Sequence, residues 1–144
     1  MVDIRLLTID DFDALHRVWT STGQETNGAV CIDDNREGIE KYIKRNPSTS
    51  FVAEENGEVI GVIMAGHDGR RGFFHHVSVA REHQDKGIGK QLVAHAMEAL
   101  RKEGIRKVAL VAFTDNDLGN GFWESQGLTV REDLYYRNKY TGID

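Results

Sequence analysis

The sequence predicts a single domain of the α/β class, built around a mixed β-sheet. A chain of 144 residues with 40% hydrophobic side chains is long enough for one hydrophobic core. Segments with the hydrophobic period of a helix alternate along the chain with segments that have the period of a strand. No break in composition and no internal repeat divides the sequence. We therefore expect one domain that extends from residue 1 to residue 144.

The first third of the chain is predicted to form one strand and two helices. A strand over residues 2–7 is followed by a helix that begins near Thr8 and keeps one apolar face to about residue 20. After a polar loop, Asp33 or Asp34 is predicted to cap a second helix, which ends before Pro47.

The middle of the chain is predicted to form an antiparallel meander of three strands. Asn56 and Gly57 separate two apolar runs at residues 51–55 and 58–66. Both turn residues tolerate a positive φ, which favours a two-residue hairpin between the runs. A second turn leads into a third strand over residues 73–79.

The remaining elements are predicted to extend the sheet through a crossover connection. A helix runs from Ile88 to Gly104, and a buried strand follows at residues 107–113. Such a crossover is right-handed and makes the strands on either side of the helix parallel neighbours. A short helix over residues 117–126 and a last strand region over residues 128–139 complete the prediction.

Composition excludes several classes of protein. Eighteen basic and 23 acidic residues give a net charge of −5, which disfavours nonspecific binding to nucleic acid and favours a small metabolite or a cationic partner. The single cysteine, Cys31, excludes an internal disulfide, and the chain has no series of metal-ligating residues. The most apolar stretch, residues 59–66, is too short to span a membrane. We therefore expect a cytoplasmic protein that binds neither membrane nor metal.

A glycine-rich turn over residues 84–90 is the clearest candidate binding site. It follows a strand and opens directly into a helix, so that consecutive backbone N–H groups and the positive end of the helix dipole meet there. This arrangement favours a phosphate group. A nucleotide-binding module is disfavoured, because the Walker pattern lacks its GK[ST] ending and the dinucleotide fingerprint lacks a third glycine.

Two motifs resemble those of a known superfamily. The pattern Q-x-x-G-x-G at residues 84–89 resembles the [QR]-x-x-G-x-[GA] signature of the GNAT superfamily of acetyl-CoA-dependent N-acetyltransferases. A second block, N-x-x-G-x-x-F-W-E-S-Q-G-L at residues 116–128, is also similar to that superfamily. Residues 65–72 resemble small YpeA-like bacterial acetyltransferases. The order of the predicted elements agrees with the GNAT fold along almost the whole chain.

The resemblance implies acetyl-CoA as a co-substrate and no metal. Backbone N–H groups of the glycine-rich turn would hold the pyrophosphate, and the end of the preceding strand would pair with the pantetheine arm. The residues implied to contact coenzyme A are Val77, Ser78, Val79, Gln84, Asp85, Lys86, Gly87, Ile88, Gly89, Lys90, Asn116, Phe122 and Trp123.

The resemblance also implies where the proton transfers occur. An ammonium group must lose a proton before its nitrogen attacks a thioester, and the family base, where a side chain supplies it, often lies on the strand before the glycine-rich turn. His75 and His76 are adjacent there, and strand alternation is expected to turn only one of them toward the acceptor. Counted back from Val79, His75 matches the position of the histidine that some arylalkylamine acetyltransferases of this superfamily have there. The resemblance therefore implies His75 as the catalytic base, with a water relay as the alternative.

The position from which the family commonly protonates the leaving thiolate holds a different residue in this sequence. Trp123 stands where the family commonly has a tyrosine, and an indole N–H does not give up its proton at a useful pH. Tyr135 or Tyr136 on the last strand, or water, is expected to replace it, and we select Tyr136 as the catalytic candidate.

The distribution of charge favours an anionic co-substrate and a cationic acceptor. Residues 81–107 carry seven basic and four acidic side chains, whereas residues 1–45 carry six basic and nine acidic ones. Glu25, Asp33 and Asp34 are candidates for attracting an amine, although helix capping also explains the two aspartates.

The leading hypothesis is therefore transfer of acetyl from acetyl-CoA directly to a primary amine of a small molecule or a protein. The alternative is a catalytically silent acyl-CoA-binding regulatory module of the same fold, which the missing tyrosine favours. Small domains of this kind often lend an edge strand to a partner, so a homodimer is also considered.

Overall fold

The computed structural model describes residues 1–24 and 28–143, which contain one five-stranded sheet and four α-helices. The strands are β1 (Asp3–Leu6), β2 (Phe51–Glu55), β3 (Glu58–His67), β4 (Gly72–Val79) and β5 (Val108–Ala109), and the helices are α1 (Phe12–Ser21), α2 (Arg36–Arg45), α3 (Ile88–Lys102) and α4 (Asp117–Ser125).

The sheet confirms the predicted α/β class with a mixed sheet. Its order is β1-β2-β3-β4-β5, and all neighbours are antiparallel except β4 and β5, which are parallel. The predicted two-residue hairpin is present, because Asn56 and Gly57 have φ values of 53° and 78° between β2 and β3. The predicted crossover through α3 is present as well.

The chain divides into two compact units, Met1–Val111 and Ala112–Asp144. The first contains the whole sheet with α1, α2 and α3, and the second contains α4. A single functional domain over all 144 residues stays a prediction. None of the helices in residues 1–24 and 28–143 is long and apolar enough to cross a bilayer.

The sheet of the first unit is covered by helices on both faces. On one face, α1 and α2 bury Leu15, Trp19 and Ile39 against Val62 and Met64 of β3. On the other face, α3 lies close to the sheet: a Cβ atom added to Gly61 of β3 would lie 3.2 Å from Leu92. Side chains that alternate along β3 therefore point to two separate helical layers.

A buried carboxylate joins the first strand to the first helix. Two guanidinium nitrogens of Arg5 on β1 donate to the two carboxylate oxygens of Asp11, each at 2.9 Å, and the Thr8 N–H donates to the same carboxylate at 3.0 Å. Burial alone raises the pKa of Asp11, but the hydrogen bonds and charge of Arg5 and the Thr8 N–H outweigh it, so the pKa lies below its usual value. The predicted helix start at Thr8 is confirmed, although a 3₁₀ turn, Ile9–Asp11, precedes α1.

The predicted N-cap of α2 is wrong. Neither Asp33 nor Asp34 caps α2, because Asn35 occupies that position and its side chain accepts from the Gly38 N–H at 2.8 Å. The Asp34 side chain is instead buried in the site described below.

The predicted last strand over residues 128–139 is absent from the described residues. Leu134 and Tyr136 are 60% and 70% exposed. Without a buried face, side-chain packing does not fix the register of a strand in this segment. The predicted buried strand over residues 107–113 is reduced to β5, which is only two residues long, and Val111 and Phe113 are 56% and 49% exposed.

The Asp11 contacts lead to a prediction about stability. Asp11→Asn removes the charge that Arg5 and Thr8 hold, so we expect a loss of about 1 to 3 kcal/mol in the free energy of unfolding at pH 7. Because folding lowers the pKa of Asp11, the contribution is fully present above about pH 4 and disappears as the pH falls through the folded-state value. Urea unfolding at several pH values measures the difference.

The matched control for this prediction is Asp13→Asn, which changes an exposed carboxylate on the same turn of chain. We expect it to alter stability by less than about 0.5 kcal/mol. Equal effects of the two substitutions at pH 7 would contradict the role given to Asp11.

Candidate active site

A β-bulge in the middle of β4 organises the candidate site. The pairing register between β3 and β4 shifts between Ile63 and Ala65. On β3 only Met64 lies between the paired positions, whereas on β4 both His75 and His76 lie there. One extra residue on β4 breaks the alternation of side chains at that point.

Both imidazoles consequently point to the face of the sheet that α1 and α2 cover. The ring centroid of His76 lies 4.4 Å from that of Trp19 on α1, and the centroid of His75 lies 5.4 Å from that of Tyr42 on α2. The alternation of side chains on which the choice between the two histidines was based is therefore interrupted here, because the bulge turns both toward one face.

His76 is paired with a buried carboxylate. Its Nε2 atom lies 3.0 Å from Oδ2 of Asp34, and the two residues are only 7% and 8% exposed. The same carboxylate accepts from the N–H of Cys31 at 2.8 Å. Burial raises the pKa of Asp34, but the hydrogen bonds from His76 and Cys31 outweigh it and lower the pKa overall. A charged Asp34 favours the tautomer of His76 that carries its proton on Nε2.

Sequence reasoning missed this pair. Asp34 and His76 are 42 positions apart, and the local pattern around Asp34 is also that of a helix cap. Asp33, the other predicted cap, is exposed, and the predicted acceptor residue Glu25 lies outside the described residues.

His75 lies among aromatic side chains, and its own side chain is partly exposed to solvent. Its ring centroid is 4.7 Å from that of Phe73, and Tyr42 approaches it edge-on. Burial lowers the pKa of His75 below its usual value, the neighbouring His76 lowers it further, and Asp34 opposes the shift. An imidazole with a lowered pKa is unprotonated at pH 7 and is available to accept a proton.

The outer edge of β4 is open over most of its length. The ladder with β5 joins only Gly72 and Phe73 of β4 to that strand. In the described part of the chain, no other strand pairs with this edge of β4. β4 and β5 thus pair only at the start of β4. In the second half of β4, the backbone groups on the side away from β3 have no strand partner among the described residues.

The backbone direction shows which groups this edge presents. The Ala80 N–H donates to the carbonyl of Ile60 on β3 at 2.8 Å. The N–H and C=O groups of successive residues in a strand point to opposite sides. Since Ala80 faces β3, the N–H and C=O groups of Val77 and Val79 point to the open edge. The side-chain amide of Gln84 donates to the Val79 carbonyl at 3.0 Å, which agrees with that direction. Val77 and Val79 therefore offer an extended ligand a strand edge.

The predicted phosphate turn lies at the end of this edge. Gln84 and Lys86 are exposed, and the left-handed residues Asp85 (φ 63°) and Gly87 (φ 78°) bend the chain into α3. A Cβ atom added to Gly87 would meet nothing within 4 Å, so the space in front of the turn is open. The left-handed conformation of Asp85 was not predicted, although aspartate is among the residues that tolerate it.

The first turn of α3 supplies further backbone donors. The Gln91 N–H donates to the Gly87 carbonyl, which is the first bond of the helical series. The N–H groups of Ile88, Gly89 and Lys90 precede it, and a helix has no internal acceptors for them. These donors and the positive end of the helix dipole suit an anionic group such as a phosphate.

Ser78 differs from the other predicted cofactor residues on β4. Its side chain is buried on the opposite face from those of Val77 and Val79, and its hydroxyl accepts a hydrogen bond from the side-chain amide of Gln24. This contact ties the segment after α1 to the strand.

Four predicted site residues belong to the second unit. Asn116 is the N-cap of α4, and its side chain accepts from the Gly119 N–H at 3.0 Å. Phe122 and Trp123 lie on α4 with ring centroids 4.9 Å apart, and Tyr136 is exposed.

A pocket of about 520 Å³ lies beside His75 in the first unit. Tyr42, Gly66 and Phe73 form part of its lining. A Cβ atom on Gly66 would lie 2.6 Å from the Tyr42 hydroxyl, so glycine leaves room for the phenol above β3. Burial raises the pKa of Tyr42, which keeps its hydroxyl protonated, and that hydroxyl has no hydrogen-bond partner among the described residues. Sequence reasoning did not identify this pocket.

Solved structures share the arrangement of elements. The PaiA N-acetyltransferase from Thermoplasma acidophilum in complex with coenzyme A superposes with a TM-score of 0.80 at 22% identity, covering 92% of each chain. AAC(6')-Iy in complex with the bisubstrate analogue CoA-S-monomethyl-acetylneamine has a TM-score of 0.75 at 20% identity, covering 97% of this chain and 99% of that one. At these identities the similarity shows the fold.

Sequence comparisons show the family. The model of the acetyltransferase (GNAT) family matches residues 12–128. The acetyltransferase ECA0875 of Pectobacterium atrosepticum is 30% identical over 123 residues, which cover 85% of this chain and 84% of that protein. The acetyltransferase plu1384 of Photorhabdus laumondii is 33% identical over 116 residues, which cover 81% and 78% of the two chains. The chain therefore belongs to the GNAT family of acetyltransferases and is an acyltransferase.

Proposed function

We propose that the protein transfers acetyl from acetyl-CoA directly to a primary amine of a small molecule or a protein. The observation that carries this proposal is the open edge of β4, which lies between the glycine-rich turn and His75. An extended thioester laid along that edge would have its phosphate end at the turn and its acyl end near the bulge.

The residues of the first unit fit coenzyme A as a co-substrate. Backbone N–H groups from Asp85 to Lys90 would hold the pyrophosphate, and Val77 and Val79 would pair with the pantetheine arm. One structural neighbour was solved with coenzyme A and another with a coenzyme A conjugate, which supports the same ligand here. From the second unit, we propose that Asn116, Phe122 and Trp123 contribute to the same ligand.

His75 would be the proton acceptor. Its neutral imidazole takes a proton from the ammonium group of the acceptor, directly or through one water, and the freed nitrogen lone pair attacks the thioester carbonyl carbon. A backbone N–H at the open edge of β4 donates to the carbonyl oxygen as that oxygen gains charge. The nitrogen then gives its remaining extra proton to water. The carbon–oxygen double bond re-forms as the carbon–sulfur bond breaks, and the thiolate leaves.

The leaving thiolate needs only a weak acid. A thiol pKa near 8.5 makes the thiolate a tolerable leaving group, and we propose that Tyr136 or water supplies its proton. The family model spans parts of both compact units, which supports one functional domain. Acetyl-CoA is an intracellular metabolite, and the relatives cited above are bacterial, so we propose a cytoplasmic bacterial enzyme.

A second candidate is a catalytically silent acyl-CoA-binding module of the same fold. Trp123 at the usual tyrosine position favours it, because no acid is present there. The two candidates differ in turnover and agree in cofactor binding.

The role of His75 gives the first functional prediction. His75→Gln removes the proton acceptor, so we expect kcat to fall by about 10²- to 10⁴-fold with acetyl-CoA binding retained. Because the pKa of His75 is lowered, the base is available at neutral pH, and the wild-type rate should decline only below about pH 6.5. Release of coenzyme A thiol with a panel of primary amines measures both effects.

The control for this prediction is His95→Gln, which alters an exposed histidine on α3. We expect its rate to stay within about twofold of wild type. Unchanged turnover in His75→Gln would assign the proton transfer to a water relay, and absence of turnover in the wild type would favour the silent module.

The glycine-rich turn gives the second functional prediction. Gly87→Val places a β-branched side chain at a left-handed position in front of the pyrophosphate donors, so we expect at least about a tenfold loss of coenzyme A affinity. Isothermal titration with coenzyme A measures it.

The other end of α3 offers a matched control. Gly104 has φ 80° and, like Gly87, open space around an added Cβ atom, so Gly104→Val imposes a similar backbone strain away from the turn. It should lower stability by about as much as Gly87→Val, of order 1 to 2 kcal/mol, and leave affinity unchanged. Equal loss of affinity in both variants would refute the assignment of the turn.

A further inference from the structure

The pocket beside His75 has a positively charged lining, although the chain as a whole is negative. Arg45 on α2, Arg71 before β4 and Lys107 before β5 belong to its lining, and Asp68 is the only carboxylate there. Three cations against one anion make the lining positive, although the whole chain has a net charge of −5. The pocket is therefore a local exception to the electrostatics of the protein.

These cations are not engaged by the protein. Within residues 1–24 and 28–143, no ion pair joins Arg45, Arg71 or Lys107 to a carboxylate. The carboxylate of Asp68 accepts from the backbone N–H groups of Arg70 and Arg71, each at 2.8 Å, so it already has hydrogen-bond partners. The positive charge of the lining thus remains available to a ligand.

The pocket lies away from the phosphate turn. It borders Gly72 and Phe73 at the start of β4, whereas the turn follows the end of β4 beyond Val79. At about 3.3 Å per residue, Phe73 and Val79 are about 20 Å apart along the strand. Among the β4 residues that line the pocket, His75 is the nearest to the turn along the strand. The cations of the pocket and the donors of the turn would therefore bind different groups.

We propose that the pocket binds the acceptor and that the acceptor is a small primary amine carrying an anionic group, a carboxylate or a phosphate. The inference rests on the proposed acetyl transfer and specifies its substrate class. Arg45, Arg71 and Lys107 would bind the anionic group, for which the planar fork of arginine is well suited. The amine would then lie toward His75.

This inference replaces the expectation of a cationic acceptor. The expectation of a cationic acceptor was based on the acidic excess of residues 1–45. Of the charged residues in that segment, only Arg45 lines the pocket. A charge balance along the sequence therefore does not describe the charge of this site.

The test is binding of acetylated products to the full-length protein saturated with coenzyme A. Isothermal titration compares N-acetyl amino acids with their uncharged carboxamides, and N-acetylated phosphoethanolamine with N-acetylethanolamine. These compounds carry no ammonium group, so differences in amine basicity do not enter. We expect the anionic member of at least one pair to bind at least about tenfold more tightly, and the better pair distinguishes carboxylate from phosphate.

Variants locate the site of this preference. The double variant Arg45→Gln with Arg71→Gln should lose at least about tenfold in affinity for the anionic compound while binding of the neutral compound and of coenzyme A is unchanged. Lys44→Gln, an exposed cation on α2 outside the pocket lining, is the matched control and should have no effect.

Equal affinity for the anionic and neutral compounds in the wild type, or an unchanged preference in the double variant, would overturn the inference. Release of thiol with an amine panel is measured on the same protein. Absence of turnover together with an intact anionic preference would refute the proposed acetyl transfer and still support the anion site.

Discussion

The extra residue in β4 is the constraint on which the candidate site depends. A regular strand would place His75 and His76 on opposite faces of the sheet. The bulge opposite Met64 places both on the face covered by α1 and α2, where one meets Trp19 and the other meets Tyr42. It lies between the paired start of β4 and its open end, and bulges increase the local twist of a strand. The bulge therefore turns both imidazoles to one face, and it lies just beyond the residues of β4 that pair with β5.

The two histidines have different physical roles because their surroundings differ. His76 is almost fully buried, and its Nε2 atom is held by Asp34, which also receives the Cys31 N–H. This pair joins the segment between α1 and α2 to the middle of β4, so it fixes one wall of the site. His75 has aromatic neighbours in place of a carboxylate, and burial lowers its pKa. A carboxylate therefore holds the imidazole of His76, whereas the imidazole of His75 lies beside aromatic rings without such a partner in the described part of the chain.

Sequence patterns predicted those features that local chemistry determines. The Asn56-Gly57 hairpin and the start of α3 at the glycine-rich turn each follow from a few adjacent residues, and both are present. The crossover through α3 follows from the order of the elements, and it is present as well. The bulge, the Asp34 to His76 contact and the cationic pocket depend on pairing between distant segments, and no short pattern indicates them. The prediction of a last strand was wrong because it relied on local composition alone. Residues 128–139 have strand-like composition, but their exposed side chains provide no packing that would fix a register.

The order of groups along β4 has a consequence for the chemistry of an amine. The glycine-rich turn lies at one end, the open edge and His75 follow, and the cationic pocket lies at the other end. Since the pocket lining has three cations and one anion, an acceptor with a single carboxylate would still be surrounded by net positive charge. Like charges disfavour the ammonium form and lower the pKa of an amine, which increases the fraction that is neutral and able to attack. A site of this kind would hold its acceptor through the anionic group and, by the same electrostatic field, assist the deprotonation that we propose for His75.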